Sequence, residues 1–322
     1  SLAYSMQKLL KSKSLVRRMH ACETMGAVNV ICTDKTGTLT QNQMTVASAL
    51  FPEHLKADKF VAESLSLNSS AYLDCFDDGK IKVIGNPTEG ALLLWLKDEG
   101  DDYIKYRNET ETLEKLPFTT ENKYMATVIH SNVFKKKILL VKGAPEIVLQ
   151  MCTSFEQGFD RDGVRANLSD FQNKAMRTLV FAYKELDDDK GVIKDGKLAV
   201  RDLCFMGMVG IADPVRAGVA DAVKECLNAG IDIKVVTGDT SVTAKAIAEQ
   251  IGLLQGANDE NSVITGEQLS SMPHEDLKKR IKDLKIISRA RPMDKKLLVE
   301  TLQEEGCVVA VTGDGTNDAP AL

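Results

Sequence analysis

The residues with the clearest chemical potential lie in the segment Ile31–Thr40, which reads ICTDKTGTLT. An apolar, β-branched run, Val28 to Cys32, leads into Asp34, and a polar turn containing Gly37 follows at once. This pattern predicts a carboxylate at the exit of a buried strand, where parallel sheets present their ligands. Asp34 can act as a nucleophile when a metal ion and a phosphate are held close to it. Taken alone, the string is also compatible with an acidic strand end that has no catalytic role.

Two further polar turns follow buried-strand patterns late in the chain. The run Ile231 to Val236 ends in Thr237-Gly238-Asp239, and the run Cys307 to Val311 ends in Thr312-Gly313-Asp314-Gly315. In a parallel sheet these turns fall on the same edge as Asp34, although they are far apart in sequence. The three turns are therefore expected to form a single site.

The chemistry expected at this edge is phosphoryl transfer. Asp34 and Asp314 give a hard, oxygen-rich site that suits magnesium. Thr237 and the amide of Gly238 can hold a phosphoryl oxygen, and Lys295 can place a positive charge near the same oxygens. Positioning and charge neutralisation dominate catalysis of this kind.

The elements that must position these residues alternate between strand and helix from Met206 onward. Strands are predicted at Met206–Ile211, Ile231–Val236, Lys285–Ser288 and Cys307–Val311, with helical stripes between the later ones that end at Gly230, Gly252 and Gly306. This alternation predicts an α/β fold with a parallel, doubly wound sheet and right-handed crossovers.

The middle of the chain has a different character. Helical stretches are predicted at about 58–70 and 88–99, followed by strands such as Tyr124–His130 and Ile138–Val141. These signals predict an inserted α+β domain with an antiparallel sheet. The expected division is residues 1–45, which begin with a helical lead-in, then the insertion 46–206, then residues 207–322.

Composition narrows the class of protein. The 322 residues favour two domains, and a net charge of −5 argues against nucleic acid as the main partner. The seven cysteines contain no CxxC pair, so neither a zinc nor a disulfide framework is expected. No signal peptide is expected from the first residues, and the sequence contains no run of about 18 apolar residues that could span a bilayer. Both ends look cut, so we expect a monomeric fragment of a larger protein.

Four motifs together resemble the signature series of P-type cation-transporting ATPases, which belong to the haloacid dehalogenase superfamily. They are DKTGTLT at Asp34–Thr40, KGAPE at Lys142–Glu146, TGD at Thr237–Asp239 and TGDGTNDAPAL at Thr312–Leu322. They occur in the family's order and extend over essentially the whole chain. The resemblance implies that 1–45 and 207–322 form the phosphorylation domain and that 46–206 form the nucleotide-binding domain.

By this resemblance, ATP phosphorylates Asp34. Magnesium is expected on the carboxylates of Asp34 and Asp314 and on the carbonyl of Thr36. The residues expected around the phosphate are Thr237, Gly238, Asp239, Arg289, Lys295 and Asn317, with Asp318 in support. Related phosphatases carry an acid/base aspartate where this chain has Thr36, so the resemblance implies a phospho-aspartate that persists.

The resemblance also implies an ATP pocket in the inserted domain. Its expected residues are the adenine-side Glu89, the stacking Phe118, Lys123 with Met125 on the lining strand, the KGAPE lysine Lys142 and the phosphate-side Arg177. Without the family, Phe118 is equally compatible with a core position. Thr120 stands where the family has an arginine, so the resemblance does not extend to that contact.

By relatedness to the calcium pumps, the transported ion is expected to be calcium in the full-length protein. The strings LVRR at 15–18 and CETMG at 22–26 resemble calcium pumps of the plasma-membrane type, and DPVR at 213–216 suits the type II pumps. Sodium–potassium, proton and magnesium pumps remain alternatives. The full-length protein is expected to be an integral membrane protein whose membrane helices and actuator domain are absent here. A soluble phosphatase of the superfamily and a non-catalytic nucleotide-binding module are the rival functions.

Overall fold

The computed structural model describes residues 2–11, 14–18, 20–76, 81–186, 191–194, 196–254 and 261–313. The expected site residues Asp314, Asn317 and Asp318 therefore lie outside the described residues. The chain divides into two compact units, which are Ser1–Asn42 with Val215–Leu322 and, between them, Gln43–Pro214. Each unit is described by itself below.

The helices and strands of the described residues are numbered in chain order. The strands are β1 (Val30–Asp34), β2 (Thr45–Leu50), β3 (Tyr72–Cys75), β4 (Ile81–Ile84), β5 (Thr112–Leu116), β6 (Tyr124–His130), β7 (Lys137–Gly143), β8 (Cys152–Phe155), β9 (Arg177–Glu185), β10 (Ile193–Lys194), β11 (Lys197–Leu198), β12 (Leu203–Ala212), β13 (Asp232–Val236), β14 (Val263–Thr265), β15 (Ile286–Ser288) and β16 (Val309–Thr312). The helices are α1 (Leu2–Lys11), α2 (His20–Met25), α3 (Glu53–Ala57), α4 (Phe60–Leu67), α5 (Pro87–Asp98), α6 (Tyr103–Glu109), α7 (Pro145–Met151), α8 (Arg161–Asn173), α9 (Val219–Asn228), α10 (Ser241–Gln250), α11 (Gly266–Ser271), α12 (His274–Arg280) and α13 (Pro292–Glu304).

The first unit is built on a parallel sheet with the strand order β14-β15-β13-β1-β16. The strand that carries Asp34 is central, with β13 on one side and β16 on the other. In this register Asp34 lies opposite Val236, and Thr33 lies opposite Thr312. The ends of these three strands therefore meet at one edge of the sheet, as the sequence predicts.

Helices cover this sheet in two separate hydrophobic clusters. One cluster contains Val30 and Cys32 of β1 together with leucines of α11, α12 and α13. The other contains Ile233 and Val235 of β13 together with residues of α9 and α10. Because successive side chains of a strand point to opposite faces, the alternation in β1 and β13 buries both faces of the sheet.

Glycines end three of these helices where the sequence predicts. Gly230, Gly252 and Gly306 follow α9, α10 and α13, and all three have positive φ angles between 75° and 79°. Glycine adopts this left-handed conformation without the steric penalty that a Cβ atom brings, so it stops a helix cleanly.

The second unit contains a largely antiparallel sheet with the strand order β2-β12-β9-β7-β6-β5, in which β8 also pairs with β12. The structure confirms the predicted strand Tyr124–His130 and places Ile138–Val141 inside β7. The predicted helices correspond to α4 and α5. The inserted α+β domain with an antiparallel sheet is therefore confirmed.

The predicted strand Met206–Ile211 is present, but the prediction that it belongs to the parallel sheet is wrong. This segment lies within β12, which pairs antiparallel with β2 and β9 in the second unit, not in the parallel sheet. The second unit accordingly extends to Pro214, beyond the expected boundary at 206, and begins at Gln43. The strand is buried on both faces, and such a run does not tell a parallel neighbour from an antiparallel one.

Candidate functional site

The first unit has a cavity of about 180 Å³ at the edge where the strands end. The predicted residues Asp34, Thr237, Gly238 and Lys295 line it together. The other lining residues are Val236, Ala290, Arg291 and Pro292. Side chains from separate parts of the sequence thus meet at the sheet edge where a site is expected from the sequence.

The wide turn Lys35–Leu39 holds Asp34 at the mouth of β1. The Asp34 Oδ1 atom accepts a hydrogen bond of 2.6 Å from the amide of Lys35. The turn closes where the amide of Thr40 donates to the carbonyl of Lys35 at 3.0 Å. Gly37 has a φ of 71°, a conformation that favours glycine over other residues. The position of the carboxylate therefore depends on a turn that this glycine makes possible.

Lys35 and Asp239 form an ion pair beside this turn. The Lys35 Nζ atom is 2.6 Å from Asp239 Oδ2, and the lysine side chain is 7% exposed while that of Asp239 is 37% exposed. The Asp239 amide also donates to Thr237 Oγ1 at 3.1 Å. Asp239 is therefore anchored to the Asp34 turn through Lys35, a contact that the sequence analysis missed.

Lys295 is fixed in the first turn of α13. Its side chain is buried, and its Nζ atom donates to the carbonyl of Thr312 at 3.2 Å. The hydroxyl of Thr312 in turn donates to that of Thr33 at 2.8 Å. These bonds tie the lysine to β16 and β16 to β1, so its cationic group is held at the cavity that Asp34 shares.

Arg289 is held near the site by its backbone. Its φ is 48°, in the left-handed region, and its amide donates to the carbonyl of Asp239 at 2.8 Å. The neighbouring Ala290 amide donates to the carbonyl of Thr237 at 2.9 Å. Among the described residues, Ala290 and Arg291 line the cavity and Arg289 does not.

The second unit contains a buried ion pair between Glu89 and Lys142. Lys142 Nζ is 2.6 Å from Glu89 Oε1, and the two side chains are 5% and 8% exposed respectively. The other carboxylate oxygen accepts hydrogen bonds of 2.7 Å from both the amide and the hydroxyl of Ser70, and one of 3.2 Å from the amide of Ala71. Glu89 is therefore held by a cation on one side and a turn on the other.

The pKa values of this pair keep it charged at neutral pH. Burial raises the pKa of Glu89, but the Lys142 charge and hydrogen bonds from Lys142 and Ser70 outweigh it and lower that pKa to about 2. Burial lowers the pKa of Lys142 to about 8, against the opposing attraction of Glu89. Because neutral pH lies between these values, the carboxylate and the ammonium coexist.

The other residues expected in the nucleotide pocket, Arg177, Phe118 and Lys123, do not take part in the buried ion pair of Glu89 and Lys142. Arg177 Nη1 donates to Thr88 Oγ1 at 2.8 Å, so it contacts the residue next to Glu89 in α5. Phe118 is 53% exposed, which contradicts the core alternative. Lys123 has a φ of 57°, and its Nζ atom is 3.5 Å from Glu146 Oε1. The structure thus pairs Glu89 with Lys142 and places Arg177 against Thr88, the neighbour of Glu89.

Two cationic side chains that were not predicted from the sequence bind the Ser69–Ala71 turn, which donates hydrogen bonds to Glu89. The carbonyl of Ser69 accepts hydrogen bonds from Lys115 Nζ at 2.9 Å and from Arg107 Nη2 at 3.4 Å. The Arg107 guanidinium also lies 4.8 Å from the ring centroids of both Tyr72 and Tyr103. No sequence signal links these residues to Glu89, because the contacts arise from packing.

Residues 56–218 match the family model described as P-type ATPase, cytoplasmic domain N. The chain therefore belongs to the P-type ATPase family. It is 36% identical over 352 residues to calcium-transporting ATPase 10, plasma membrane-type, of Arabidopsis thaliana, and the match covers 100% of this chain and 33% of that protein.

Two further relatives have similar names. Probable calcium-transporting ATPase 9, plasma membrane-type, of Oryza sativa subsp. japonica is 39% identical over 353 residues, covering 100% of this chain and 33% of that protein. Calcium-transporting ATPase PAT1 of Dictyostelium discoideum is 36% identical over 344 residues, covering 100% of this chain and 30% of that protein. The chain thus spans about a third of the length of these relatives. None of the helices in the described residues has the length and hydropathy that a membrane-spanning segment requires.

Proposed function

We propose that this chain is the cytoplasmic catalytic part of a longer, ATP-driven cation pump in a membrane. ATP bound by the unit Gln43–Pro214 phosphorylates Asp34, and the phospho-aspartate drives ion transport in the full-length protein. The observation that best supports this proposal is the cavity that Asp34 lines together with Thr237, Gly238 and Lys295. In this proposal the parallel unit is a doubly wound, haloacid dehalogenase-like phosphorylation domain, and the antiparallel unit is the nucleotide-binding domain.

The roles of the cavity residues follow from their chemistry. The Asp34 carboxylate attacks the terminal phosphorus of ATP, forming an acyl-phosphate bond while the bond to ADP breaks. Lys295 neutralises the negative charge that the phosphoryl oxygens carry, and its buried position keeps that interaction strong. Thr237 and the Gly238 amide orient the same oxygens. Thr36 offers no acid/base carboxylate to a hydrolytic water, so the phospho-aspartate persists.

Magnesium fits the donors of this site. Asp34 and the Thr36 carbonyl offer the hard oxygen atoms that magnesium prefers, and Asp314 is the third proposed ligand. In the described residues no group of three or more acidic, histidine or cysteine side chains could hold a metal ion. Magnesium does not require such a group, because it binds one or two carboxylates together with phosphate and water. The ion would reduce the repulsion between the anionic nucleophile and the anionic phosphate.

The second unit binds ATP in the proposed mechanism. Glu89 and Lys142 form the polar floor of the pocket, which their mutual ion pair and the Ser70 turn make rigid. Phe118 stacks on adenine with its exposed ring. Arg177 reaches the phosphates, and Lys123 lines the pocket.

Calcium is the proposed ion, because the relatives that cover the whole chain are named calcium-transporting ATPases. Another cation is the alternative. Ion-dependent ATPase activity of the full-length protein decides between them, since a pump hydrolyses ATP faster when its own ion is present. Stimulation by sodium, potassium or protons without calcium would exclude the calcium assignment.

The proposed phosphorylation is tested by incubating the full-length protein with labelled ATP. We expect an acid-stable, hydroxylamine-labile phosphoprotein in the wild type and none in Asp34→Asn. Asp221→Asn, which changes an exposed carboxylate in α9, is the matched control and should label normally. Equal labelling of wild type and Asp34→Asn would refute the mechanism. A label that hydrolyses too fast to trap would favour a soluble phosphatase.

A further inference from the structure

Arg216 donates hydrogen bonds to the turn after Asp34. It lies in the DPVR segment at 213–216, for which the sequence predicts no chemical role. Its Nη2 atom donates to the carbonyl of Gly37 at 2.6 Å, and its Nε atom donates to the carbonyl of Thr40 at 2.9 Å. Its own amide donates to the carbonyl of Leu39 at 2.9 Å. Both the side chain and the backbone of Arg216 therefore bind this turn.

The turn needs such a constraint because of its backbone conformation. Thr36 is extended, with φ −71° and ψ 131°, and Gly37 reverses the chain with φ 71° and ψ −15°. Glycine populates several regions of backbone space, so Gly37 alone does not select one of them. A hydrogen bond to its carbonyl orients the whole planar peptide that joins it to Thr38. The rigid fork of a guanidinium suits two carbonyls at fixed positions.

We propose that Arg216 is a positioning residue that locks the turn after Asp34, so that the Asp34 carboxylate and the Thr36 carbonyl keep the arrangement that binds magnesium and phosphate. Among the described residues, those that line the cavity do not include Arg216, so it acts through the backbone of the turn. The inference rests on the proposed phosphorylation of Asp34 and adds a residue that holds the nucleophile in place.

Arg216 could also affect phosphorylation through its positive charge alone, without orienting the turn. Arg216→Lys separates the two, because lysine keeps the charge but lacks the planar fork that reaches two carbonyls. Arg216→Gln removes the charge as well. If the fork matters, both variants lose function, whereas a pure charge effect leaves Arg216→Lys like the wild type. Lys224→Gln removes an exposed charge from the neighbouring α9 and is the matched control.

The first measurement is amide hydrogen exchange in the chain without ligands. We expect exchange in residues 35–40 to accelerate at least about tenfold in both Arg216 variants and to stay unchanged in Lys224→Gln. The amide of Thr40, which donates to the carbonyl of Lys35, is the most direct reporter. Unchanged exchange in this segment, or faster exchange throughout the unit, would overturn the proposal.

The second measurement is thermal stabilisation by magnesium in the presence of beryllium fluoride, which imitates a transferred phosphoryl group. Residues that orient metal ligands typically change metal affinity about 10–100-fold when replaced. We expect the half-maximal magnesium concentration to rise about tenfold in both variants, while ATP binding by the second unit is unchanged. A magnesium dependence like that of the wild type would overturn the inference.

The labelling of the full-length wild type separates the two hypotheses. If the wild type forms no hydroxylamine-labile phosphoprotein, the proposed function fails, whatever the exchange data show. If the wild type is labelled but the exchange and magnesium results match the control, Arg216 has no positioning role.

Discussion

Replacing Glu89 by glutamine tests the buried ion pair and should destabilise the second unit by about 3 kcal/mol at neutral pH. The pKa of Glu89 falls from 4.5 to about 2, because burial is outweighed by the Lys142 charge and by hydrogen bonds from Lys142 and Ser70. At about 1.4 kcal/mol per pKa unit, this shift corresponds to roughly 3 kcal/mol. The variant also leaves Lys142 buried without its counter-charge, which typically costs about 3–5 kcal/mol.

Urea unfolding followed by tryptophan fluorescence measures this effect. The chain contains a single tryptophan, Trp95, which lies in the same helix as Glu89 and packs against Phe51 with ring centroids 5.9 Å apart. Its emission therefore reports the unfolding of this unit. Glu185→Gln is the matched control, since it breaks an exposed pair with Lys136 and should cost less than about 1 kcal/mol.

The pH dependence of the unfolding free energy is a second test of the buried ion pair. A carboxylate with a lowered pKa stabilises the folded state above its unfolded pKa, here 4.5, and loses that contribution as the pH falls to about 2. The difference between wild type and Glu89→Gln should therefore increase as the pH rises from about 2 to 4.5, because the lowered pKa of Glu89 stabilises the folded state progressively over this range. A difference no larger than that of the control, or one independent of pH, would refute the reasoning.

Three further predictions concern single residues. Because the pKa of Lys142 is about 8, its reaction with an amine-reactive fluorophore should accelerate as the pH passes 8, and ATP should slow it; equal labelling with and without ATP would remove Lys142 from the pocket. Lys295→Met should lower phosphorylation of Asp34 at least about a hundredfold while the melting temperature changes little, because a charge at the reacting oxygens is lost; normal labelling would contradict its role. Gly37→Ala should destabilise the first unit by about 1–2 kcal/mol in thermal unfolding, because alanine is strained at the left-handed φ of this position. Gly26→Ala is the control, because Gly26 has no positive φ. An equal loss of stability in both variants would contradict the proposed backbone strain at Gly37.

Periodic sequence patterns predicted β1, β13, β15 and β16 of the parallel sheet, the helices between the later strands, and some elements of the insertion. The predicted strand Tyr124–His130 is observed with those bounds, and the glycine stops at Gly230 and Gly306 are found where expected. The sheet partner of Met206–Ile211 was not predictable, because a strand buried on both faces has the same pattern in either kind of sheet. The edge strand Val263–Thr265 is too short for any periodicity to appear.

The site was predictable where it depends on strand ends and not where it depends on side-chain packing. The meeting of Asp34 and Thr237 at one edge follows from the parallel order of their strands. The pairing of Lys35 with Asp239 and the contacts of Arg216 depend on the exact path of the turns. Such contacts require the three-dimensional structure, because no spacing rule connects the partners.

The central position of β1 has a consequence for how the chain folds. Its partners β13 and β16 come from the far side of the insertion, so the parallel sheet must close a very long loop. The insertion shortens that loop by folding on its own core, because Thr45 pairs with Ala212 and so brings its two ends together. The entropic cost of closing a loop rises with its length, so the joined ends reduce the cost of pairing β1 with β13. Mutations that unfold the insertion should therefore slow the assembly of the parallel sheet, although they lie outside it.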